Sequence, residues 1–171
     1  MPGRFIIQKN LHRMLEGGCL AAVIETTSEG VKQWRHKGII YDIAVFTNLT
    51  PEHIPSHGSF ENYRAMKQKV FRELSSSFRK TVSDRKIPKI IIANVDSPEA
   101  PHFLKFATDQ KITFGLSSTA DIRAENVLEK DLCVEFKVKN QSIKLALLGK
   151  FNALNALPAI AIGKMFNLDQ E

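Results

Sequence analysis

Three continuous apolar runs alternate with helical patterns in the first part of the chain. The runs cover residues 20–24, 43–46 and 90–93, and polar residues follow each of them. Runs of this length, rich in Val and Ile and separated by helical patterns, are typical of buried parallel strands. Ligands bind outside the carboxyl ends of the strands in such sheets. The pattern therefore predicts a ligand site at the edge of the sheet where the polar residues follow.

Three segments carry the spacing of amphipathic helices. Residues 7–15 place apolar side chains at helical intervals, and Gly17-Gly18 predicts the end of that helix. A longer helix is predicted over residues 59–76, with Ser59 as N-cap and Glu61 in the first turn. A last helix is predicted over residues 152–166.

The period of the pattern changes from helical to alternating after a predicted strand at residues 112–114. Apolar and polar residues alternate over 134–138 and 143–147, and residues 139–142 fit a turn, which predicts a β-hairpin with one solvated face. The predicted fold class is α/β, with a mostly parallel sheet flanked by helices and an antiparallel β-hairpin appendage. We expect one domain over 1–171, divided into an α/β core (1–116), a β-hairpin subdomain (117–148) and a closing helix (149–171).

Composition excludes several classes of protein. The 171 residues are 43% hydrophobic and 25% charged, which is ordinary for a globular domain. No apolar run reaches the length of a membrane span, and the N-terminus does not have the form of a signal peptide. Cys19 and Cys133 lack metal-ligand spacing, so we expect core thiols in a reducing compartment and a cytoplasmic location.

The net charge of +6 raises the question of nucleic-acid binding. Nine Lys or Arg residues lie between positions 64 and 89, but aromatic residues are not interleaved with them as in a base-stacking surface. This favours a solvated helix and loop, and we predict no nucleic-acid partner. A moderate positive charge also suits small anionic ligands such as nucleotides.

Lys67 is out of place on the predicted helix 59–76, because it shares a face with Tyr63 and Val70 in an apolar stripe. Its stem could pack there while the ammonium group reaches water. Alternatively, desolvation lowers its pKa, and the neutral amine is carboxylated by CO₂ to become an anionic metal ligand.

Two further groups of polar residues are candidates for ligand binding. Glu25 and His53 lie at or beyond predicted strand ends and offer donors for a divalent metal, although two surface residues would give the same pattern. Gln33, Arg35 and His36 follow Gly30 on a short polar segment. An arginine there could hold a phosphate or carboxylate, or could simply be exposed.

Seven segments, taken in order, resemble motifs of the Mur ligase family. They are AVIETTSEGVKQWR (22–35), AVFTNLTPEH (44–53), HGSFENYRAMKQKVF (57–71), IIANVDSP (91–98), ITFGL (112–116), DIRAENV (121–127) and LLGKFNALNALPAIAIG (147–163). They are similar to the family's EVSSHxLxxxR, AVFTNLxxDH, HGxxExYxxAKxxLF and INxDDP motifs and the segments that follow them. The resemblance covers essentially the whole chain and indicates the ATP-binding central domain. The SEGxxQxR and HGxxExYxxxK forms are similar to the tripeptide-forming branch, the UDP-N-acetylmuramoyl-tripeptide synthetases.

The resemblance implies an activity in peptidoglycan biosynthesis. ATP would phosphorylate a carboxylate of UDP-N-acetylmuramoyl-dipeptide, and the amine of an incoming amino acid would attack the acyl phosphate, with Mg²⁺ stabilising the transferring group. Lys67 matches the family's carboxylated lysine, and Glu25 and His53 match its metal-binding acid and histidine. The family positions that hold the UDP-muramoyl substrate are matched by Thr27, Gln33 and Arg35. The asparagines that contact the nucleotide in the family are matched by Asn152 and Asn155.

Some family features are missing or changed. No GxxxxGKT or GxxxxGKS phosphate loop occurs in the 171 residues, and the C-terminal domain that would select the amino acid is expected to follow the last helix. Thr27 replaces the usual serine, Glu52 a common aspartate and Ser97 an aspartate of INxDDP. We therefore expect flanking domains to be needed and the isolated chain to be inactive. The alternatives are a non-catalytic muramoyl-nucleotide-binding protein and a Mur-like ligase for another substrate, such as folate or a cell-wall lipid intermediate.

Overall fold

The computed structural model describes residues 2–51 and 54–168, which form two compact units. The first unit comprises residues 1–41 and 51–77, and the second comprises residues 42–50 and 78–171. The subdivision predicted at residues 116 and 148 remains a prediction. No helix among the described residues is long and apolar enough to cross a membrane.

The first unit is helical. It contains α1 (Arg4–Glu16), α2 (Ser28–Lys32), α3 (Ile54–His57) and α4 (Phe60–Ser76), and α4 packs against both α2 and α3. The predicted N-cap of α4 is confirmed, because the Ser59 Oγ accepts the Asn62 N–H at 3.1 Å. The buried face of α4 contains Tyr63, Val70, Phe71 and Leu74, as its apolar spacing predicts.

The strand predicted over residues 20–24 is wrong. This segment has no regular secondary structure and pairs with no strand in the described part of the chain, and Leu20 and Val23 are 100% and 94% exposed. A run of β-forming residues becomes a strand only where a neighbouring strand takes up its hydrogen bonds. The expectation of core thiols also fails for Cys19, which is exposed, while Cys133 is half-buried.

The second unit contains a parallel sheet of four strands, β1 (Ile43–Phe46), β4 (Ile90–Asn94), β5 (Gln110–Gly115) and β6 (Ile122–Arg123). They lie in the order β1-β4-β5-β6 across the sheet. All five residues of β4 are buried, which explains why residues 90–93 form a continuous apolar run before the polar Asn94. A separate short hairpin pairs β2 (Thr81–Val82) with β3 (Arg85–Lys86), and α5 (Ala100–Leu104) packs on β4.

A three-stranded antiparallel sheet follows, formed by β7 (Glu125–Lys130), β8 (Cys133–Val138) and β9 (Gln141–Leu145). The predicted hairpin corresponds to β8 and β9, and β7 is an additional strand. Helix α6 (Phe151–Met165) packs against β5 and β8, and its Ala153, Leu157 and Ala161 join the buried side chains of both sheets in one core. The predicted α/β class with an antiparallel appendage is thus confirmed.

Candidate functional site

Helix α2 brings three predicted substrate-binding residues together in the first unit. The Thr27 Oγ1 caps the helix by accepting the Gly30 N–H at 3.1 Å. Beyond the other end of α2, the Arg35 Nη2 donates to the Gln33 Oε1 at 2.6 Å. A Cβ added at Gly30 would lie 3.3 Å from the Thr27 Oγ1 and 3.6 Å from the Arg35 Cδ. Because Gly30 has no side chain, the Arg35 side chain can pack along α2 towards the Thr27 hydroxyl.

Lys67 on α4 is half-buried, and its Nζ lies 5.6 Å from the centre of the Tyr63 ring. Burial lowers the pKa of the Lys67 ammonium group, and the negative charge of Glu25 opposes that shift. Glu25 therefore lies near enough for its charge to act on the Lys67 ammonium group. Glu25 itself is exposed in the irregular segment that precedes α2.

A divalent metal could use this pair of residues only if other oxygen donors contribute. No group of three or more His, Cys, Asp or Glu with metal-binding geometry occurs within residues 2–51 and 54–168. The predicted ligand His53 lies outside the described residues. A carboxyl group added to the Lys67 amine, together with the Glu25 carboxylate, would offer the oxygen ligands that Mg²⁺ prefers. Glu25 and a carboxylated Lys67 are thus compatible with Mg²⁺, and the metal site stays a prediction.

A cluster of Ser28, Glu29 and His57 was not predicted from the sequence. The His57 Nε2 lies 3.1 Å from the Ser28 Oγ and 3.5 Å from the Glu29 Oε1, and the His57 side chain is 1% exposed. Both contacts use the same ring nitrogen, and Ser28 is buried, so the arrangement is not that of an activated nucleophile. The contact between Ser28 and His57 joins the start of α2 to the end of α3. The two residues are 29 positions apart in the sequence, so no local pattern could indicate their contact.

His36 is 2% exposed and belongs to the same unit. Its Nε2 lies 3.4 Å from the Glu73 Oε1 on α4, but neither ring nitrogen has a well-formed hydrogen bond within the described residues. Burial lowers the pKa of His36, Glu73 raises it, and the cations Lys37 and Lys69 lower it further. Lys37 also forms an ion pair with Glu73. His36 is therefore a buried imidazole whose neutral form is favoured.

A cavity of about 250 Å³ lies within the first unit. Apolar side chains of α1 and of residues 22–24 form one part of its wall, and Glu25, Thr27, Arg35, His36 and Tyr41 form the polar part. Two of the three residues predicted to bind substrate, Thr27 and Arg35, thus share a concave surface with Glu25, whereas Gln33 does not line it.

The predicted nucleotide-binding residues belong to the second unit. Asn152 lies in the first turn of α6, where its Nδ2 donates to the Leu148 carbonyl at 2.7 Å. Asn155 is exposed one turn later, with its Nδ2 3.4 Å from the Asn152 Oδ1. The N-cap of α6 makes no side-chain hydrogen bond. The two amides therefore line the start of a helix, which is where phosphate groups commonly bind.

Polar residues also follow the carboxyl ends of the strands in the second unit, as the sequence predicts. Asp96, after β4, accepts the Leu116 N–H at 2.6 Å and the Ser117 N–H at 2.9 Å, and so connects the ends of β4 and β5. Asn94 is buried at the end of β4, and its Oδ1 accepts the Asp96 N–H at 2.9 Å.

Comparison with solved structures supports the fold. A UDP-N-acetylmuramoyl-L-alanyl-D-glutamate–2,6-diaminopimelate ligase superposes with a TM-score of 0.78 over 99% of this chain and 34% of that chain, at 24% identity. The MurF ligase of Thermotoga maritima, solved in complex with ADP, covers 77% of this chain and 29% of its own, with a TM-score of 0.56 and 15% identity.

Sequence comparison identifies the family. A UDP-N-acetylmuramyl-tripeptide synthetase of Roseiflexus sp. (strain RS-1) is 37% identical over 91% of this chain and 32% of its own length. A UDP-N-acetylmuramoyl-L-alanyl-D-glutamate–2,6-diaminopimelate ligase of Halalkalibacterium halodurans is 29% identical over 94% of this chain and 32% of its length. The chain thus spans about a third of the length of these relatives. Residues 2–163 match the family described as the Mur ligase middle domain, and the chain belongs to that family.

Proposed function

We propose that this chain is the central, ATP-binding part of a ligase that adds an amino acid to UDP-N-acetylmuramoyl-dipeptide in peptidoglycan synthesis. The observation that carries the proposal is the half-buried amine of Lys67 beside the buried apolar face of α4, under the charge of Glu25 and in the unit that also holds Thr27, Gln33 and Arg35. The family membership and the names of the relatives support the same reaction class.

In the proposed reaction, each residue has a chemical role. The guanidinium of Arg35 and the amide of Gln33 would hold anionic and polar groups of the muramoyl substrate, together with the Thr27 hydroxyl. Lys67, once carboxylated, would join Glu25 and His53 in binding Mg²⁺, which would stabilise the charge on the phosphoryl group as it transfers. Asn152 and Asn155 would contact the nucleotide at the start of α6.

ATP and Mg²⁺ are the proposed cofactors. ADP bound to the related Thermotoga ligase supports the use of ATP, and the Glu25 carboxylate, with the oxygens that a carboxylated Lys67 would supply, supports Mg²⁺. A cytoplasmic location and the absence of a nucleic-acid partner belong to the same proposal.

Two polypeptides test the function. The 171-residue chain, supplied with ATP, Mg²⁺, bicarbonate, UDP-N-acetylmuramoyl-dipeptide and a panel of amino acids, should release no ADP, because its sequence has no phosphate loop. A longer polypeptide that adds such a loop before the chain and a C-terminal domain after it should release ADP only when all substrates are present. Failure of the longer polypeptide to turn over under these conditions would count against the proposal.

A second candidate function is binding of the muramoyl nucleotide without catalysis. The observation in its favour is that residues 1–171 contain the segment proposed to bind the muramoyl substrate but no phosphate-loop motif. Calorimetry with UDP-N-acetylmuramoyl-dipeptide, without ATP, distinguishes the two. Binding to the short chain, combined with an inactive longer polypeptide, would favour the binding protein.

A further inference from the structure

His57, the last residue of α3, is almost completely buried and contacts two other helices. Its side chain is 1% exposed. Its Nε2 lies 3.1 Å from the Oγ of Ser28, the first residue of α2. The centre of its ring lies 5.1 Å from the centre of the Tyr63 ring on α4, with an angle of 30° between the ring planes. One imidazole therefore connects three helices of the first unit.

The contacts of the His57 imidazole favour a proton on Nε2. The Glu29 Oε1 lies 3.5 Å from that nitrogen and has no hydrogen-bond partner among the described residues. A proton on Nε2 faces this carboxylate and is donated to the Ser28 Oγ, whereas an unprotonated Nε2 would turn a lone pair towards the negative charge. Ser28 is 4% exposed, so water replaces this hydrogen bond poorly when the imidazole is removed.

Two further hydrogen bonds hold the same helices together. The Lys32 Nζ, at the last residue of α2, donates to the Ser56 carbonyl on α3 at 3.0 Å, in an exposed position where water competes. The Asn62 Nδ2, in the first turn of α4, donates to the His57 carbonyl at 3.1 Å. Helix α2 is thus held at both ends, and the His57 imidazole makes the buried hydrogen bond.

This connection lies between residues with proposed chemical roles. Thr27, which caps α2 directly before Ser28, is proposed to bind the muramoyl substrate. The Tyr63 ring that contacts His57 is also the ring whose centre lies 5.6 Å from the Lys67 Nζ. A displacement of the start of α2 relative to α4 would change the distance between the bound substrate and the carboxylated lysine. Displacements of about 1 Å can slow a reaction between bound groups considerably.

We propose that His57 is a positioning residue for the ligase reaction: its imidazole holds the start of α2, with Thr27, against the part of α4 that carries Lys67. The inference rests on the proposed function, because Thr27 and Lys67 receive their roles there. In this role the imidazole contacts no reacting group and transfers no proton to the substrate. It acts through the position of the Thr27 hydroxyl.

Hydrogen exchange on the 171-residue chain tests how α2 is held. The Gly30 N–H, which donates to the Thr27 Oγ1, reports on the start of this helix. His57→Phe keeps a ring against Tyr63 but cannot donate, so the Gly30 N–H should exchange about fivefold faster, the scale of one neutral hydrogen bond. In His57→Gln the amide can donate near the Nε2 position, so exchange should be slower than in His57→Phe. His12→Phe, at an exposed histidine of α1, is the control and should match the wild type.

Steady-state kinetics on the longer polypeptide tests the role in the reaction. His57→Phe should raise the KM for UDP-N-acetylmuramoyl-dipeptide about fivefold, because Thr27 is no longer held in place. The KM for ATP should stay within about twofold, since the proposed nucleotide contacts, Asn152 and Asn155, belong to the second unit. A loss of global stability alone would reduce the amount of active enzyme and change neither KM. Ser28→Ala removes the same hydrogen bond from the other side and should reproduce this pattern.

Separate results overturn this inference and the proposed function. Unchanged Gly30 exchange in a folded His57→Phe, or slower exchange in His57→Phe than in His57→Gln, would mean that the imidazole only fills space. An equal rise of both KM values would overturn the positioning of the substrate. If circular dichroism shows that His57→Phe does not fold, Ser28→Ala decides by the same two measurements. If Gly30 exchange responds as expected but the longer polypeptide with His57 intact releases no ADP, the attachment of α2 by His57 stands while the ligase proposal fails.

Discussion

The Lys67 ammonium nitrogen lies 5.6 Å from the centre of the Tyr63 ring, one turn earlier on α4. The aromatic ring and the surrounding burial remove water from the amine, which lowers the pKa of Lys67. Glu25 works against this effect by favouring the charged form. Lysine reacts with CO₂ only as the neutral amine, so the balance between burial and Glu25 determines how much of Lys67 is reactive.

The first prediction is that Lys67 forms a carbamate in bicarbonate buffer. Nuclear magnetic resonance with ¹³C-bicarbonate should show a carbamate signal that is absent in Lys67→Arg and retained in Lys69→Gln, the control on the same helix. In metal-free buffer Glu25→Gln should increase the signal at a given pH, because loss of the carboxylate lowers the pKa of Lys67 further. An unchanged or weaker signal in Glu25→Gln would contradict this account of the pair.

The second prediction concerns Asp109, whose carboxylate accepts the Arg79 Nε–H at 3.0 Å and the Lys89 N–H at 2.7 Å, and also pairs with the Arg79 Nη2. These donors lower the pKa of Asp109 to about 2. Because the folded pKa is below the unfolded one, the stabilisation is complete above about pH 4 and is lost as the pH falls towards 2.

Thermal unfolding of Asp109→Asn measures this contribution. Its Tm should be several degrees below that of the wild type at pH 7, and the difference should shrink between about pH 4 and 2. Asp84→Asn, which removes an exposed carboxylate from the turn between β2 and β3, is the matched control. A Tm difference that stays constant down to pH 2 would exclude the ionised carboxylate as its source.

Much of the sheet could be predicted from the sequence because two of its strands are continuous apolar runs. The run at 90–93 became β4, which is buried on both faces, and the run at 43–46 became β1, which buries Ala44 and Phe46 on one face. The run at 20–24 has the same composition but no paired strand, and composition does not reveal the partner. Strand β7 was missed because most of its residues are exposed and its register shifts between Glu125 and Leu128, which breaks the alternating pattern.

The candidate site could be predicted where a residue violates a local pattern. Lys67 interrupts an apolar stripe, so its spacing alone marked it as unusual. In contrast, the contacts of His57 with Ser28 and of His36 with Glu73 join segments far apart in the chain. A single sequence contains no local signal for such pairs, because each residue has an ordinary neighbourhood and the packing of α2 and α3 on α4 creates the contact.

The third prediction is that His36 makes the folded state sensitive to mild acid. Its folded pKa is lower than the unfolded value of about 6.5, because burial and the charges of Lys37 and Lys69 outweigh the attraction of Glu73. As the pH falls below about 6.5, the unfolded chain takes up a proton that the folded chain resists. The free energy of unfolding should therefore decrease with falling pH in this window.

His36→Phe keeps a ring of similar shape and removes the titrating group. Urea unfolding between pH 7.5 and 5 should show a smaller loss of stability on acidification in this variant than in the wild type. His12→Gln, at an exposed histidine of α1, controls for the loss of a histidine. If the free energy of unfolding falls equally in His36→Phe and the wild type over this pH range, the buried imidazole is not the cause of the acid sensitivity.

The last prediction compares two glycines in the second unit. A Cβ added at Gly115 would lie 2.7–2.8 Å from the Asp96 carboxylate, which the Leu116 and Ser117 N–H groups hold in place. Gly115→Ala should therefore lower the free energy of unfolding by about 1–3 kcal/mol, as expected for overpacking. At Gly163 in α6 an added Cβ meets nothing within 4 Å, so Gly163→Ala should raise stability by about 1 kcal/mol through helix propensity. Urea unfolding measures both, and equal stability of Gly115→Ala and the wild type would mean that the Asp96 carboxylate can move away from the end of β5.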